Sequence, residues 1–398
     1  MRFVVQLQSI AQIFKIKKAK KMSAGKIFQK IFIWCKKEIV FCVTFLLALI
    51  SAFFVKPDAK YISYIDFGTL LTLFSLMAVV AGWRRTGLFD ALGKTVCRKV
   101  HGQRALCLTL VLLCFFTSMV ITNDVALLTF VPFAVVLLSK TDSFVLLYTV
   151  VLQTLAANLG SMITPIGNPQ NIFLFSKMQL GTVRFMKILF PYTLLSLVLL
   201  ILSVLIIKNE KIQIERQENE TSKSGCKGKI ILYTALFILC LLSVVNVIPK
   251  WAAAVLVALC VLFSDRKIFC NIDFMLLLTF TAFFIFTGNI ARLESVDSFL
   301  KRITGGNEFA VSLAFSQVIS NVPATLLLHP FAQDTKELLL GVDIGGLGTP
   351  VASLASLISL KLYTQEKGGT AKFLTVFTLM NIIFLAALCA MKAVLQGL

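Results

Sequence analysis

The stretch Ser118-Met-Val-Ile-Thr-Asn123-Asp124-Val-Ala-Leu-Leu-Thr-Phe-Val-Pro132-Phe133 is written a second time, with changes, as Ser316-Gln-Val-Ile-Ser-Asn321-Val322-Pro323-Ala-Thr-Leu-Leu-Leu-His-Pro330-Phe331. Both carry Ser-x-Val-Ile, a small hydroxyl residue (Thr122, Ser320), an Asn, and Pro-Phe nine and ten residues beyond that Asn. A second pair follows each copy: Gly160-Ser-Met-Ile-Thr164-Pro165-Ile-Gly167-Asn168 and Gly345-Gly-Leu-Gly-Thr349-Pro350-Val-Ala352-Ser353. Polar and Gly/Pro breaks, duplicated inside apolar segments, imply two repeats of the kind from which secondary transporters are built.

The surroundings of these motifs are hydrophobic. The chain of 398 residues is 58% hydrophobic, holds 35 Phe and is only 15% charged, far from the soluble average. Apolar runs of bilayer-crossing length, about 17–25 residues, recur along it. The expected spans are 39–55, 66–82, 143–175, 185–207, 230–248, 251–264, 272–290, 338–360 and 371–395. The segments 105–138 and 309–331 are also apolar but carry Asn, Asp or Pro at their middles. Each is long enough for a span, and both are read as re-entrant hairpins. The fold class is therefore an all-α polytopic membrane protein with two inverted-topology repeats, each with a hairpin and a broken helix.

Lys and Arg placement sets the orientation. Ten precede residue 39, six lie in 84–104 and six in 208–229. With nine spans and two hairpins that re-emerge on their own side, 28 basic residues fall on the N-terminal side and 11 on the other, accounting for all 39. Turning either hairpin into a span inverts every loop behind it and spoils this asymmetry. The expected topology has a cytoplasmic N-terminus and an outer C-terminus, in a multi-pass protein of the plasma membrane.

The net charge of +20 invites a nucleic-acid reading, but the excess lies in the cytoplasmic loops and the N-terminal arm. Anionic lipid is the natural counter-charge there, so the bilayer and no nucleic acid is the expected partner. Phe14, Ile27, Phe28, Ile31 and Phe32 make the arm, residues 1–38, an interfacial amphipathic segment. No small-residue cleavage site follows span 39–55, which argues against a removable signal peptide. Met22 is a second candidate for the start of translation. The ten cysteines show no CxxC or zinc-like spacing, and apolar packing without disulfides is expected of them.

The polar stretch 208–229, without apolar periodicity, reads as a cytoplasmic linker between halves. The first repeat covers 39–207 with hairpin 105–138, and a linking segment covers 230–250. The second repeat covers 251–398 with hairpin 309–331. The single extra crossing inverts the second half relative to the first.

The chemistry of the motifs follows from the scarcity of hydrogen-bond partners in hydrocarbon. A backbone break is tolerated there only where it lines a protein or water cavity. Pro165 and Pro350 remove backbone donors, and Gly160, Gly167, Gly345, Gly346 and Gly348 permit unwinding. Unwound carbonyls can hold a cation, and the amides of a half-helix start can hold an anion. The hairpin tip Thr122-Asn123-Asp124 adds the oxygen ligands that hard cations take. Asp124, a carboxylate expected at mid-membrane, can ligate a cation or carry a proton, or can simply close the hairpin turn. Asp343, just before the second break, has the same logic, and its counterpart in the first repeat is Asn158. Asn158, Thr164, Asn168, Gln170 and Asn171, with Thr349, Ser353 and Ser356 opposite, complete the polar set. Gln153 and Gln317 read as candidates for interhelical hydrogen bonds. His329, in the second hairpin, is a possible proton carrier, whereas His101 lies in a basic loop and reads as solvated.

These residues resemble the ion transporter superfamily, which includes divalent anion/sodium symporters, citrate carriers, arsenite-efflux permeases and sodium/proton antiporters of the NhaD type. Thr122-Asn123-Asp124 and Ser320-Asn321-Val322 fall where the symporters carry Ser-Asn-Thr. The run Asn158-Leu-Gly160-Ser-Met-Ile-Thr164-Pro165-Ile-Gly167-Asn168 resembles the Asn-Leu-Gly-x-x-x-Thr-Pro-Ile-Gly-Ser run of arsenite permeases. The resemblance covers the chain from about residue 39 onward. It implies an elevator-type transport domain moving against a scaffold, in a homodimer, with Na⁺ bound at each tip and break. Carried over, one cation would lie at Asn123, Gly160, Thr164 and Gly167, and the other at Asn321, Gly345, Thr349 and Ala352. Two positions depart from the symporters: Val322 lacks the hydroxyl, and Asp124 places an acid beside a di-anionic substrate.

The expected function is secondary active transport of a small anionic solute, an organic di- or tricarboxylate or an inorganic anion, coupled to Na⁺ or H⁺ and needing no other cofactor. The alternative is an arsenite-type efflux permease or a Na⁺/H⁺ antiporter. An intramembrane enzyme is disfavoured: the chain has two histidines, no HExxH and no activated-nucleophile pattern. It has no Walker A sequence either.

Overall fold

A computed structural model describes residues 38–97, 100, 102–139, 141–178, 180–210, 226–367 and 369–397. The expected interfacial arm, His101 and most of the linker 208–229 lie outside the described residues. In chain order the helices are α1 (Ile39–Phe54), α2 (Lys60–Tyr64), α3 (Phe67–Arg85), α4 (Leu88–Cys97), α5 (Gln103–Ile121) and α6 (Asn123–Leu137). Next come α7 (Ser143–Ser161), α8 (Pro169–Met178), α9 (Thr182–Leu205), α10 (Cys226–Val244), α11 (Lys250–Ser264) and α12 (Phe274–Ile290). The last are α13 (Glu294–Thr304), α14 (Glu308–Ile319), α15 (Asn321–Leu328), α16 (Thr335–Ile344), α17 (Leu354–Lys367) and α18 (Thr370–Gly397). Short 3₁₀ turns occupy Arg266–Asn271 and His329–Phe331.

Each expected span or hairpin arm falls on one or two of these helices. The expected hairpins divide at one residue each: α5 and α6 meet at Thr122, and α14 and α15 meet at Ser320. The expected broken spans are interrupted after Ser161 and after Ile344. Among the described residues six helices are long and apolar enough to cross a bilayer, or seven if the pair α12–α13, bent by 102°, forms one span. These include α5, so the first arm of the first hairpin is itself of crossing length. The expected spans at α1, α11 and α12 are apolar but have only 16, 15 and 17 residues. The protein is a polytopic membrane protein. A stripe of outward-facing apolar side chains on α9 (Phe190, Leu194, Val198, Leu202), each one turn apart, is what hydrocarbon contact requires.

The chain forms two compact units. The described part of the first, 38–86 and 226–298, holds α1–α3, α10–α12 and the start of α13. There α1 packs on α12, and α3 packs on α10 and α11. The segments Ile65-Asp66-Phe67 and Ile272-Asp273-Phe274 open α3 and α12 in the same way. Asp66 (φ −80°, ψ 84°) accepts the Thr69 amide at 2.9 Å, and Asp273 (φ −83°, ψ 83°) accepts the Leu276 amide at 3.0 Å. Such Asp caps satisfy amide donors that a helix start leaves orphaned. Buried Asn289 donates to Ser51 Oγ (2.9 Å) and Tyr61 Oη (2.8 Å), joining α12 to α1 and to α2.

The second unit, 87–223 and 299–398, contains every candidate site residue. Its axis is α7, in which Val145 through Ser161 are buried throughout. The hairpin α5–α6 packs on α7, and the hairpin α14–α15 packs on α16. The packing then crosses over, because α17 lies on α6 while α8 lies on α15. Half-buried Glu337 of α16 pairs with buried Lys392 of α18 at 2.8 Å, and the Lys392 ammonium sits 4.4 Å from the Phe309 ring centroid.

Candidate functional site

The two hairpin tips have one geometry. Thr122 has φ 75°, ψ 151° and Ser320 has φ 74°, ψ 152°. This region is almost reserved for glycine and costs an L-residue about 1–3 kcal/mol. At each tip the next Asn is tied to the neighbouring break, since the Asn123 amide donates to the Gly167 carbonyl (3.2 Å) and the Asn321 amide to that of Ala352 (2.9 Å). Each Asn Oδ1 then accepts the following backbone amide, of Asp124 or Val322, at 2.9 Å. The break threonines reach back as a pair too. Thr164 Oγ1 donates to the Met119 carbonyl (2.6 Å), and Thr349 Oγ1 to the Gln317 carbonyl (2.9 Å).

The first glycine of each break fixes how closely tip and break approach. A Cβ on Gly160 would overlap the Phe115 carbonyl and lie 2.7 Å from Ser118 Oγ; one on Gly345 would lie 2.9 Å from Leu313 Cα and 3.0 Å from Ser316 Cβ. Phe115 and Ser118 hold the same places in the first motif that Leu313 and Ser316 hold in the second.

The freed carbonyls of the two breaks are satisfied by different side chains. In the second, Gln317 Nε2 donates to the carbonyls of Gly345 (2.8 Å) and Leu347 (2.9 Å), and its Oε1 accepts the Thr349 amide (3.0 Å). Met119 occupies that place in the first motif and has no donor. There Asn171 Nδ2 donates instead to the carbonyls of Met162 (2.8 Å) and Thr164 (3.1 Å). Asn381 of α18, which the sequence did not mark, accepts the Gly348 amide at 3.2 Å. Pro165 is buried and Pro350 half-buried, each directly after its threonine.

Two residues connect the halves. Asn158 Oδ1 accepts from Asn123 Nδ2 at the first tip and from Ser353 Oγ of the second break, both at 3.0 Å, while its Nδ2 lies 3.5 Å from Ser356 Oγ. Its counterpart Asp343 is 4% exposed. Asp343 Oδ1 accepts from Gln170 Nε2 (3.1 Å) and Asn168 Nδ2 (3.4 Å) of the first break. The structure therefore places Asp343 in the buried centre of the unit. Asp124 stands in the first turn of α6 and is half-exposed, a position where a helix N-terminus favours negative charge. His329 lies at the far end of α15, its ring edge against Phe173 at 5.1 Å, away from the tips. Gln153 is a buried strut of the first hairpin and donates to the Phe130 carbonyl at 3.1 Å.

The arrangement brings two half-helix starts, α6 and α15, together with two unwound breaks in one unit. It offers amide donors for an anion and carbonyl, carboxamide and hydroxyl oxygens for a cation. Of the oxygens assigned to cations by resemblance, the Gly167 carbonyl accepts the Asn123 amide and keeps a second lone pair, whereas the Ala352 carbonyl accepts both the Asn321 amide (2.9 Å) and Ser320 Oγ (3.3 Å).

The sequence is similar to those of known proteins. A family model described as citrate transporter matches residues 30–341. An uncharacterized transporter of Methanocaldococcus jannaschii is 31% identical over 332 residues, 82% of this chain and 89% of that one. The inner membrane protein YbiR of Escherichia coli is 30% identical over 307 residues, 76% of this chain and 82% of its own. A silicon efflux transporter of Oryza sativa subsp. japonica is 28% identical over 137 residues, 34% of this chain and 28% of its own.

Proposed function

The chain belongs to the citrate transporter family, and on that premise we propose that it is a secondary active transporter of a small anionic solute coupled to Na⁺ or H⁺. The solute class is a di- or tricarboxylate or a small inorganic anion. The observation that carries this reading is the matched pair of strained tips, Thr122-Asn123 and Ser320-Asn321, each bonded through its Asn amide to a Gly/Pro break of the same unit. Strain held at two equivalent points is characteristic of ligand clamps, and an anion between the starts of α6 and α15 would meet their positive dipole ends.

In this reading the two halves are inverted repeats, and the second unit is the moving part of an elevator whose scaffold is the first. The chain works as a homodimer in the plasma membrane with its N-terminus in the cytoplasm. The proposed substrate and ion set comprises Thr122, Asn123, Asp124, Asn158, Gly160, Thr164, Pro165, Gly167 and Asn168 from the first half. Ser320, Asn321, Gly345, Thr349, Pro350, Ala352 and Ser353 supply the second. Efflux is the second reading, favoured by Asp124, whose negative charge beside the tip opposes a di-anion and suits a neutral or cationic cargo.

Purified protein in liposomes decides between them. Uptake of labelled citrate, succinate, sulfate and arsenite is measured with Na⁺ and H⁺ gradients imposed separately. One anion should accumulate under one gradient, and Asn123→Ala and Asn321→Ala should each abolish that uptake while remaining folded. Near-normal uptake by either variant places the site elsewhere. Extrusion of arsenite without uptake of any anion selects the efflux reading.

A further inference from the structure

The matching openings of α3 and α12 belong to a longer repeat. Residues 58–67 read Asp58-Ala-Lys60-Tyr-Ile-Ser-Tyr64-Ile65-Asp66-Phe67, and residues 265–274 read Asp265-Arg-Lys267-Ile-Phe-Cys-Asn-Ile272-Asp273-Phe274. Both have Asp-x-Lys, four further residues and Ile-Asp-Phe. An Arg then follows at the end of each helix, Arg85 for α3 and Arg292 for α12, each 27 residues beyond the Asp of its own half.

The two Asp carboxylates do the same two jobs. Asp58 Oδ1 accepts the Lys60 amide and Asp265 Oδ1 the Lys267 amide, both at 3.0 Å. The second oxygen crosses to the other half: Asp58 Oδ2 pairs with Arg292 Nη1 at 2.9 Å, and Asp265 Oδ2 with Arg85 Nε at 2.8 Å. Each half thus gives its Arg to the other and takes the other's in return, the contact pattern of an isologous interface. The helices follow the same rule. α1 packs on α12 while α11 packs on α3, and α2 packs on α12 while the turn Arg266–Asn271 packs on α3.

A tyrosine laid on a glycine accompanies each pair. A Cβ on Gly288, one turn before Arg292, would overlap the Tyr64 ring, and one on Gly82, one turn before Arg85, would lie 2.6 Å from the Tyr233 ring. Tyr64 Oη also accepts from Arg292 Nη1 (3.1 Å), and Tyr233 Oη lies 3.0 Å from Ser264 Oγ, next to Asp265. Tyr64 comes from α2 and Tyr233 from α10, so one design is assembled twice from different stretches of chain. The 19 residues of α3 separate the two assemblies by roughly 28 Å, at about 1.5 Å per residue.

Partly exposed ion pairs add little to global stability; a carboxylate bonded through both oxygens fixes position instead. The positions fixed here are those where the chain leaves the first unit. It passes into the second after Thr86, directly beyond Arg85, and after Ser298, six residues beyond Arg292.

We propose that the Asp58–Arg292 and Asp265–Arg85 pairs are two equivalent locks, each pinning the end of one half's helix to the opposite half, and that they are the fixed points from which both connections to the second unit start. This goes beyond the transport reading and rests on its moving second unit. Movement of that unit pulls on both connections, and the locks keep the pull out of α3 and α12.

The test uses Arg→Gln and Asp→Asn, which remove the charge, while Asn keeps an acceptor for the Lys60 or Lys267 amide. Amide hydrogen exchange of the purified full-length protein, read by mass spectrometry, needs no substrate. Arg292→Gln should speed exchange several-fold in 58–66, in the opposite half, and leave 265–273 unchanged; Arg85→Gln should do the reverse. Asp58→Asn combined with Arg292→Gln should do no more than either alone, since both open one lock. Asp58→Asn combined with Arg85→Gln should show both effects in full. Unchanged exchange in the opposite half, or full addition within one pair, would overturn the pairing. The single variants should melt close to the wild type, and much earlier melting would assign the pairs to global stability and equally overturn the proposal. In liposomes, Arg85→Gln combined with Arg292→Gln should slow uptake of labelled citrate, succinate or sulfate several-fold. A wild-type rate with both ends loosened would overturn the fixed-point role. If exchange behaves as expected but the wild type carries none of these anions, the locks stand and the transport reading fails.

Discussion

Gly160→Ala adds one methyl group at a close contact between the first hairpin and α7. Its Cβ would overlap the Phe115 carbonyl oxygen, lie 2.9 Å from the carbonyl carbon and 2.7 Å from Ser118 Oγ. Ordinary contact between such atoms is near 3.5 Å, so α7 must retreat from α5 by more than about an ångström to clear the Phe115 carbonyl oxygen. The Phe115 carbonyl oxygen and carbon belong to helix backbone and cannot rotate aside, even where the Ser118 hydroxyl can. Overpacking of this kind costs about 1–3 kcal/mol. The retreat also stretches the 3.0 Å bonds that Asn158, two residues earlier, accepts from Asn123 and Ser353, at about 1 kcal/mol each. A loss of about 3–4 kcal/mol is therefore expected, together with loss of transport. Gly228→Ala is the control: nothing lies within 4 Å of its added Cβ, and on a helix alanine is better than glycine by up to about 1 kcal/mol. Thermal denaturation in detergent, followed by fluorescence-detected size-exclusion chromatography, measures both. A Gly160→Ala protein that melts with the wild type and transports normally refutes the close-packing argument.

At the tips, Thr122→Gly and Ser320→Gly should each raise the melting temperature, by relief of about 1–3 kcal/mol of strain less the entropy of the added glycine; lower melting in both would mean that the tips are unstrained. Asn158→Leu strands Asn123 Nδ2 and Ser353 Oγ without their acceptor and should cost about 1–3 kcal/mol per group, seen as early melting that a wild-type-like curve would contradict. Single cysteines at Arg104 and Ser139, in a cysteine-free background, should react from the same side of the membrane, as should cysteines at Asn307 and Asp334; opposite-side labelling within a pair makes that hairpin a span. Asp124→Asn should flatten the pH dependence of gradient-driven uptake if Asp124 carries the coupling cation, and a fully active Asp124→Asn protein would leave it the hairpin-closing role.

The large breaks were legible because their causes are local. A single Pro can stay within an apolar helix, as Pro132 does in α6 and Pro191 in α9, but Pro next to clustered Gly favours unwinding, so Thr164-Pro165 and Thr349-Pro350 with their glycines marked the interruptions directly. The Asn tips marked the hairpins as duplicated polar points. The short amphipathic helix α13 leaves no apolar run in the sequence, because only Leu300 and Thr304 of it are buried. Its signal was present: Glu294 and Asp297 in the first turn, Lys301 and Arg302 in the last, the charge order that a helix dipole favours. The paired openings Ile65-Asp66-Phe67 and Ile272-Asp273-Phe274 were also readable and unread. They lie at the edges of the apolar runs, away from the duplicated centres. Other features lay beyond any local reading. Gln317 and Asn171 do the same work for the two breaks from different places in the motif, because Met119 leaves carbonyls that only a side chain from further along can reach.

The equivalence of Asn158 and Asp343 carries the strongest functional argument. Each sits two residues before the first glycine of its break, and each accepts hydrogen bonds from the break of the other half: Asn158 from Ser353, Asp343 from Asn168. The geometric task, crossing from one motif to the other, is thus done equally well by an amide or a carboxyl. A carboxamide in both places would have sufficed to hold the tips and breaks together. The carboxyl at 343 adds one property that the amide at 158 lacks, the capacity to gain and lose a proton. It adds that property at the more enclosed end of the network, where Oδ2 and Asn171 Oδ1 are left bare. Burying a bare carboxylate oxygen is unfavourable for stability alone. Asn158→Asp and Asp343→Asn combined should then keep the network and its stability, yet move the titrating group beside Asn123. Unchanged pH coupling in that double variant would show that neither position handles the proton.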